Sequence, residues 1–226
     1  MMRASELLTA TEQEKINLAV AAAEKGTSGE IVPVVATASG RYDRAEDVGG
    51  LLLALTALTA TWVQFQRIVP VEGDWSQGQR LTLGLPWIIL IVVAGFAMGA
   101  AITSRVGWWR RLLVRESEMR QEVERAAWQA FGQFRVGRTA GGTGILLYIS
   151  LFERTVCVLG DEAIAAKLDA KTWEGVRDTI LEGLRSGQPA EALCRAVAQC
   201  GEILGQHFPY RAGDVNELTD ELRLLN

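Results

Sequence analysis

The chain of 226 residues has a net charge of −4, which excludes the electropositive footprint of a nucleic-acid-binding protein, and we expect no nucleic-acid partner. Its composition is 49% hydrophobic, and two long uncharged stretches favour a membrane-anchored domain over a wholly soluble one. Outside these stretches roughly 150 to 180 residues remain, which is enough for one globular unit of ordinary size.

The first segment, residues 1–45, predicts a helix followed by a strand. Thr9 and Glu12 form a capping-box pattern at the start of the helix. Residues Glu30 to Ser39 are typical of a strand, in which Pro33 lacks one N–H donor and favours an edge or bulged position. Because one helix and one strand cannot form a core, we expect both to pack against residues that follow much later.

Residues 46–107 predict a transmembrane helical hairpin. The two spans are residues 48–66 and 81–104, each uncharged and close to the roughly 20 residues that cross a bilayer core. The first span, with several threonines, could also be a buried helix of a soluble protein, whereas the second is apolar on every face. The polar residues 67–80 between the spans predict a turn.

The arginines indicate the orientation of this hairpin. More arginines precede and follow the spans than lie between them, with Arg67 and Arg80 in the loop. Because cytoplasmic segments are enriched in Lys and Arg, we expect a multi-pass protein of the inner (plasma) membrane with both termini and the globular domain in the cytoplasm. Most of the seven tryptophans lie in or near the spans, as the preference of indole for the membrane interface predicts.

Two glycines in the second span form a small-xxx-small pattern, Gly95 and Gly99. Such a face allows close approach of a neighbouring helix. The pattern leaves two uses open, packing of the two spans against each other or a homodimer seam.

Residues 108–226 predict the remainder of an α/β domain that the hairpin interrupts. A long amphipathic helix, residues 115–134, precedes an apolar run at residues 144–152 that is typical of a strand covered on both faces. A second strand, residues 155–160, follows as a hairpin partner, and then come two helices separated near Gly187. The acidic tail predicts a loop with at most a last short turn. An even number of spans lets the early helix and strand rejoin this sheet.

Most familiar catalytic motifs are absent, including a P-loop, a G-x-G-x-x-G turn and an H-E-x-x-H helix. The single histidine, His207, rules out a zinc site rich in histidine. Oxygen ligands for Ca²⁺ or Mg²⁺ are available at the end of the second strand and in the tail. The alternative is that Asp161 only caps a short helix and that the tail acids are solvated.

The soluble stretches resemble the TPM domain family, which includes thylakoid-lumen and photosystem-repair proteins. The matching stretches are TSGEIVPVV, TGILLYISLFERTVCVLGDEAI, the helix around Trp173 and FPYRAGDVNEL. The membrane hairpin inserted after the first strand resembles a bacterial membrane-bound branch. The resemblance implies a three-layer α/β/α domain with a small mixed sheet, an oxygen-ligand site for Ca²⁺ or Mg²⁺, and a phosphatase activity proposed for some plant members.

The resemblance also implies site residues. The implied metal ligands are Asp161, Asp214 and Glu217. The implied binding residues are Glu30, Glu153 and Asn216. The candidate catalytic residues are Asp161 with Arg154 or Arg138, because a phosphatase needs a nucleophile or activated water together with a cation beside the phosphoryl oxygens.

Two functions follow as hypotheses. The first is an interaction or assembly factor that docks on other membrane proteins at the bilayer. The second is a divalent-metal-dependent phosphatase acting on phosphomonoesters near the membrane. Acids that cluster in a pocket with an arginine would favour the enzyme, and acids spread over separate surfaces would favour the interaction factor.

Overall fold

The computed structural model describes residues 3–65, 84–211 and 216–226. The described residues divide into two compact units, an apolar hairpin of residues 41–115 and an α/β unit of residues 3–40 with 116–226. The predicted turn at residues 67–80 lies outside the described residues, and so does the predicted ligand Asp214. The other predicted site residues are all described.

The helices and strands of the described chain alternate along the sequence. In chain order they are α1 (Ala4–Leu7), α2 (Ala10–Glu24), β1 (Glu30–Ala36), α3 (Asp43–Phe65), α4 (Leu85–Arg105), α5 (Gly107–Leu113), α6 (Glu116–Gln133), β2 (Gly144–Ser150), β3 (Thr155–Gly160), α7 (Glu162–Ala165), α8 (Glu174–Ser186), α9 (Pro189–His207) and β4 (Arg223–Leu225). Short 3₁₀ turns lie at Val136–Arg138 and Ala170–Trp173.

The four strands form one mixed sheet in the order β3-β2-β1-β4. β1 runs parallel to both of its neighbours, and β3 runs antiparallel to β2. The register pairs Glu30 with Gly144 and Ala36 with Ser150, so the first residues of β1 and β2 lie side by side. Strands from the two halves of the chain are therefore adjacent in one sheet, as the even number of predicted spans requires.

Helices cover both faces of this sheet. The core on one face joins α2, α8 and α9 to alternate residues of β2, among them Ile145 and Leu147. The core on the other face joins α6 to the residues between them, among them Leu146 and Tyr148. All seven residues of β2 are buried, which confirms the predicted strand covered on both faces. The three-layer α/β fold is confirmed.

The position predicted for Pro33 is wrong in one respect, because β1 is an interior strand. Ile31, two residues earlier, directs its N–H away from β2 and donates it to a side chain. Pro33 lies two residues further along the strand, so the position where its N–H would be faces the same side as the N–H of Ile31. β4 pairs only from Val34 onward and does not reach it. The proline therefore interrupts no ladder hydrogen bond.

The prediction of a loop-like tail is also wrong, because its last residues form β4. The N–H of Thr37 donates to the carbonyl of Leu225 at 2.8 Å, which closes the ladder between β1 and β4. A three-residue strand has too few alternating positions to be recognised in an acidic segment. Its partner strand lies almost the whole chain away.

The apolar hairpin consists of α3 and α4, both long and apolar enough to cross a membrane. A Cβ added at Gly95 would lie 2.9 Å from the Cα of Ala54, and one at Gly99 would lie 2.6 Å from the carbonyl oxygen of Gly49. The backbones of the two helices are thus in contact at these positions. The small-residue face of α4 therefore packs against α3 within the hairpin, and the homodimer seam stays a prediction.

Candidate functional site

Most of the predicted site residues that the structure describes lie at one end of the sheet, where β1 and β2 begin. Glu30 is the first residue of β1, and its Oε1 accepts a hydrogen bond from the N–H of Glu217 at 3.2 Å. Asp161 follows β3 directly, and its N–H donates to the carbonyl of Gly144 at 2.8 Å. The antiparallel β2–β3 pairing brings the end of β3 beside the start of β2. The candidate site is therefore built around Glu30.

Glu153 and Arg154 lie at the opposite end of the sheet, in the turn between β2 and β3. Glu153 is buried, and its carboxylate accepts hydrogen bonds from the N–H groups of Ser39 and Gly40 and from the hydroxyl of Ser150. Arg154 adopts a left-handed backbone conformation with φ of 52°. β3 has six residues and separates Arg154 from Asp161 by about 20 Å. These two side chains cannot contact the same phosphoryl group.

Asp161 is the N-cap residue of α7. Its Oδ1 accepts a hydrogen bond from the N–H of Glu162 at 2.8 Å. The glycines of the neighbouring turns pack around the carboxylate, since a Cβ on Gly137 would lie 3.4 Å from Oδ1 and one on Gly142 would lie 3.6 Å from Oδ2. Arg138 follows in the same turn, and the structure records no ion pair between Arg138 and Asp161 among the described residues.

A carboxylate that the sequence reasoning missed lies beside Glu30. Glu24 is the last residue of α2, and its Oε1 accepts a hydrogen bond from the N–H of Ile31 at 2.7 Å. The other oxygens of the two side chains, Oε2 of Glu24 and Oε2 of Glu30, are buried without a hydrogen-bond partner. Glu30 as a whole is 8% exposed. Unpartnered buried carboxylate oxygens are costly, and they mark this pocket as unusual.

The tail adds a third carboxylate to the same pocket. Asp220 and Asn216 line the pocket together with Glu24 and Glu30, and its volume is about 300 Å³. The Nδ2 of Asn216 donates to Oδ1 of Asp220 at 2.5 Å, which leaves the carbonyl oxygen of Asn216 available. The one cation in the lining is Lys25, and the structure records no ion pair between it and these acids among the described residues.

The electrostatics of the pocket disfavour ionisation of its acids. Burial raises the pKa of Glu24 to about 8, and repulsion by Glu30 and Asp220 adds to this, while the hydrogen bond from Ile31 opposes it. Burial also raises the pKa of Glu30, against the hydrogen bonds from the N–H groups of Glu217 and Leu218. Burial and the neighbouring acids therefore favour the protonated form of Glu24 at neutral pH.

A neighbouring cleft of about 490 Å³ lies on the other side of Glu30. Glu217 and Arg211 line it, and the Oε2 of Glu217 accepts a hydrogen bond from the N–H of Ala140 at 2.7 Å. Lys167 also lines the cleft, with its Nζ 3.3 Å from the carbonyl of His207 and 4.5 Å from the ring centre of Phe208. The cleft thus combines carboxylates with two cationic side chains.

Metal ligands do not converge as a complete set of side chains. Among the described residues no group of three His, Cys, Asp or Glu side chains is arranged to hold a metal ion by itself. A cation near Glu30 would need water or carbonyl oxygens in addition to carboxylates, which is ordinary for Ca²⁺ and Mg²⁺.

Comparison with known proteins supports the family resemblance for part of the chain. The model of the TPM domain matches residues 111–203. The NMR structure of the BA42 protein from the psychrophilic bacterium Bizionia argentinensis matches with a TM-score of 0.54 and 17% identity, over 96% of this chain and 94% of that one. No curated protein matches the sequence. At this level of identity the likeness to BA42 shows the fold alone. Residues 111–203 are therefore similar to the TPM domain, and the chain shares its fold with BA42.

Proposed function

We propose that the protein is a membrane-anchored member of the bacterial membrane-bound TPM branch, acting as an interaction or assembly factor for membrane protein complexes. The observation that supports this most directly is the exposed apolar surface of α3 and α4. In the most apolar windows of these helices only 17% and 11% of residues are buried. A helix in the core of a soluble protein would be largely buried instead.

Large apolar side chains point away from the contact between α3 and α4. Leu51 and Leu55 of α3 are 54% and 52% exposed, and Ile89 and Val93 of α4 are 54% and 59% exposed. Removing such surface from water gains roughly 25 cal/mol per Å², so a lipid bilayer is its natural environment. The arginines on either side of the spans support the cytoplasmic orientation of both termini.

The distribution of the predicted site residues supports an interaction factor over an enzyme. Glu153 and Arg154 lie at one end of the sheet, while Asp161, Glu30 and Glu217 lie at the other. Glu153 holds a turn together through three hydrogen bonds, and Asp161 caps a helix. A single phosphomonoester cannot reach both ends of the sheet.

Topology gives the first test of this proposal. The full-length protein should resist extraction from membranes by alkaline carbonate. A cysteine replacing Gln77 should be modified by a membrane-impermeant thiol reagent in intact cells, and one replacing Ser186 should be spared, with the wild-type chain as the background. Release by carbonate, or the reverse labelling pattern, would contradict the anchored arrangement.

Cross-linking in the membrane tests the interaction itself. A photoreactive amino acid at Leu90, which is 54% exposed, should form adducts with other membrane proteins. The matched control is the same group at Thr103, which is 1% exposed and contacts Gly49 of α3, so its adducts should stay within the chain. A chain that forms no adducts from Leu90 and migrates as a free protein in mild detergent would refute an interaction factor.

A divalent-metal-dependent phosphatase remains the second candidate, favoured by the cleft beside Glu30. Arg211 and Lys167 could bind phosphoryl oxygens there while Glu30 and Glu217 supply oxygen ligands. If this holds, the full-length protein with Mg²⁺ or Ca²⁺ hydrolyses a generic phosphomonoester, and Arg211→Ala lowers the rate. The interaction factor predicts no hydrolysis above the uncatalysed rate in either protein.

A further inference from the structure

The short helix α5 has an apolar side and a basic side. It follows α4 after Val106, whose extended backbone conformation ends α4 and separates the two helices. With about 3.6 residues per turn, Trp109, Leu112 and Leu113 lie on one side of α5 and Arg111 lies on the other. Leu112 is 73% exposed and Trp109 is 38% exposed. A helix with this pattern is suited to lie in the plane of a membrane surface.

α5 lies at one end of the apolar hairpin, to which it belongs. Gly49, near the start of α3, contacts Thr103, near the end of α4, so these two helix ends lie side by side. α5 begins two residues after α4 ends and contacts both α3 and α4. The following inference rests on the proposed membrane anchoring, because spans formed by α3 and α4 put α5 at the level of the lipid headgroups.

The charge at this end of the hairpin is positive. Residues 84–115 contain four arginines and no acidic residue. Arg105 and Arg115 are exposed, Arg111 is half-buried, and the structure records no ion pair for these three among the described residues. The acids at the start of α3 do not cancel this charge, since residues 41–47 and 105–115 together carry six arginines against three acids. The surface around α5 therefore suits an anionic partner.

We propose that α5 and the arginines around it bind the headgroups of anionic phospholipids. The apolar side, with Leu112 and Trp109, enters the boundary between the headgroups and the acyl chains. The guanidinium groups of Arg105, Arg111 and Arg115 donate hydrogen bonds to phosphate oxygens. A zwitterionic headgroup also has a phosphate, but its own cation cancels the net charge, so the basic side of α5 prefers anionic lipid.

The test places a photoreactive amino acid at Leu112 of the full-length protein, in nanodiscs with equal amounts of phosphatidylcholine and phosphatidylglycerol. Mass spectrometry of the adducts should find phosphatidylglycerol in at least about threefold excess, and added salt should reduce this excess. The matched control is the same group at Leu18, which is 63% exposed but belongs to the α/β unit. Leu18 should form no lipid adducts.

Paired arginine variants test the basic side of the helix. Arg111→Gln combined with Arg115→Gln should remove most of the phosphatidylglycerol excess, while Leu112 still forms lipid adducts because the apolar side is unchanged. Arg120→Gln combined with Arg195→Gln removes the same charge from exposed positions of the α/β unit and should keep the excess. An excess that persists without Arg111 and Arg115 would overturn the proposed headgroup binding.

The photoreactive group at Leu90 separates failure of this inference from failure of membrane anchoring. Leu90 is 54% exposed on α4 and should form adducts with both lipids if α4 spans the bilayer. Lipid adducts from Leu90 together with none from Leu112, or with equal labelling of the two lipids from Leu112, would overturn the role of α5 and leave the anchoring intact. Absence of lipid adducts from both positions would overturn the anchoring and this inference with it. Adducts of Leu112 with protein alone would show that another chain or segment covers the apolar side, and would refute lipid binding there.

Discussion

Deprotonation of Glu24 should make the metal-free protein less stable as the pH rises. The pKa of Glu24 is raised from its usual 4.5 to about 8 in the folded protein. Between these values the folded chain holds a proton that the unfolded chain has released. The free energy of unfolding therefore falls as the pH rises from about 4.5 to about 8, and it levels off above that range.

The size of this effect follows from the shift. One pKa unit corresponds to about 1.4 kcal/mol, so a shift from 4.5 to about 8 sets a ceiling of about 5 kcal/mol. Glu24 is only partly buried, and water in the open pocket screens its charge, so we expect about half of this ceiling. For a unit of this size the thermal midpoint should fall by about 5–10 °C between pH 5 and pH 9.

The assay is thermal unfolding of the full-length protein in detergent and EDTA, followed by near-ultraviolet circular dichroism. Glu24→Gln mimics the protonated side chain and should remove most of the fall, because it has no proton to lose. Glu14→Gln on the exposed face of α2 should follow the wild-type profile. Parallel profiles for the wild type and Glu24→Gln would refute the reasoning, since the slope would then come from other groups.

Two further predictions concern helix contacts. Gly183→Ala should lower the free energy of unfolding of the α/β unit by about 1–3 kcal/mol, because the added Cβ would lie 1.9 Å from the Cβ of Ala192. Gly175→Ala in the same helix is the control: its added Cβ meets nothing within 4 Å, and the free energy of unfolding should rise by about 0.5–1 kcal/mol. Denaturant unfolding in metal-free buffer compares the two variants. Gly99→Leu should separate α3 from α4, measured as a loss of intramolecular cross-linking from Thr103, while Met98→Leu on the exposed side of α4 should leave it unchanged.

Helices and strands whose own residues carry a clear hydrophobic pattern could be predicted from the sequence. β2 is apolar at nearly every position because helices cover both of its faces, and this shows in seven consecutive residues. α2 begins at its capping box, where the N–H groups of Thr9 and Glu12 are both satisfied as predicted. These signals are local, so tertiary contacts are not needed to recognise them.

β4 and the acid pocket could not be predicted, because their signals are not local. β4 is short and polar at its start, and only its pairing with β1 makes it a strand. Glu24 looks like an ordinary last-turn residue of an amphipathic helix. Its importance arises only when the turn after α2 places it beside Glu30 and the tail returns with Asp220.

The acids of the pocket each lie where they weaken the element that carries them. An acid at the end of α2 weakens that helix, and a buried acid at the start of β1 weakens that strand. The N–H groups of Ile31 and Glu217 offset part of this cost by donating hydrogen bonds to Glu24 and Glu30. The raised pKa of Glu24 offsets a further part, because the protonated side chain carries no charge into the pocket. The pocket is therefore least costly to the fold below the pKa of Glu24, and its cost grows as the pH rises through that value.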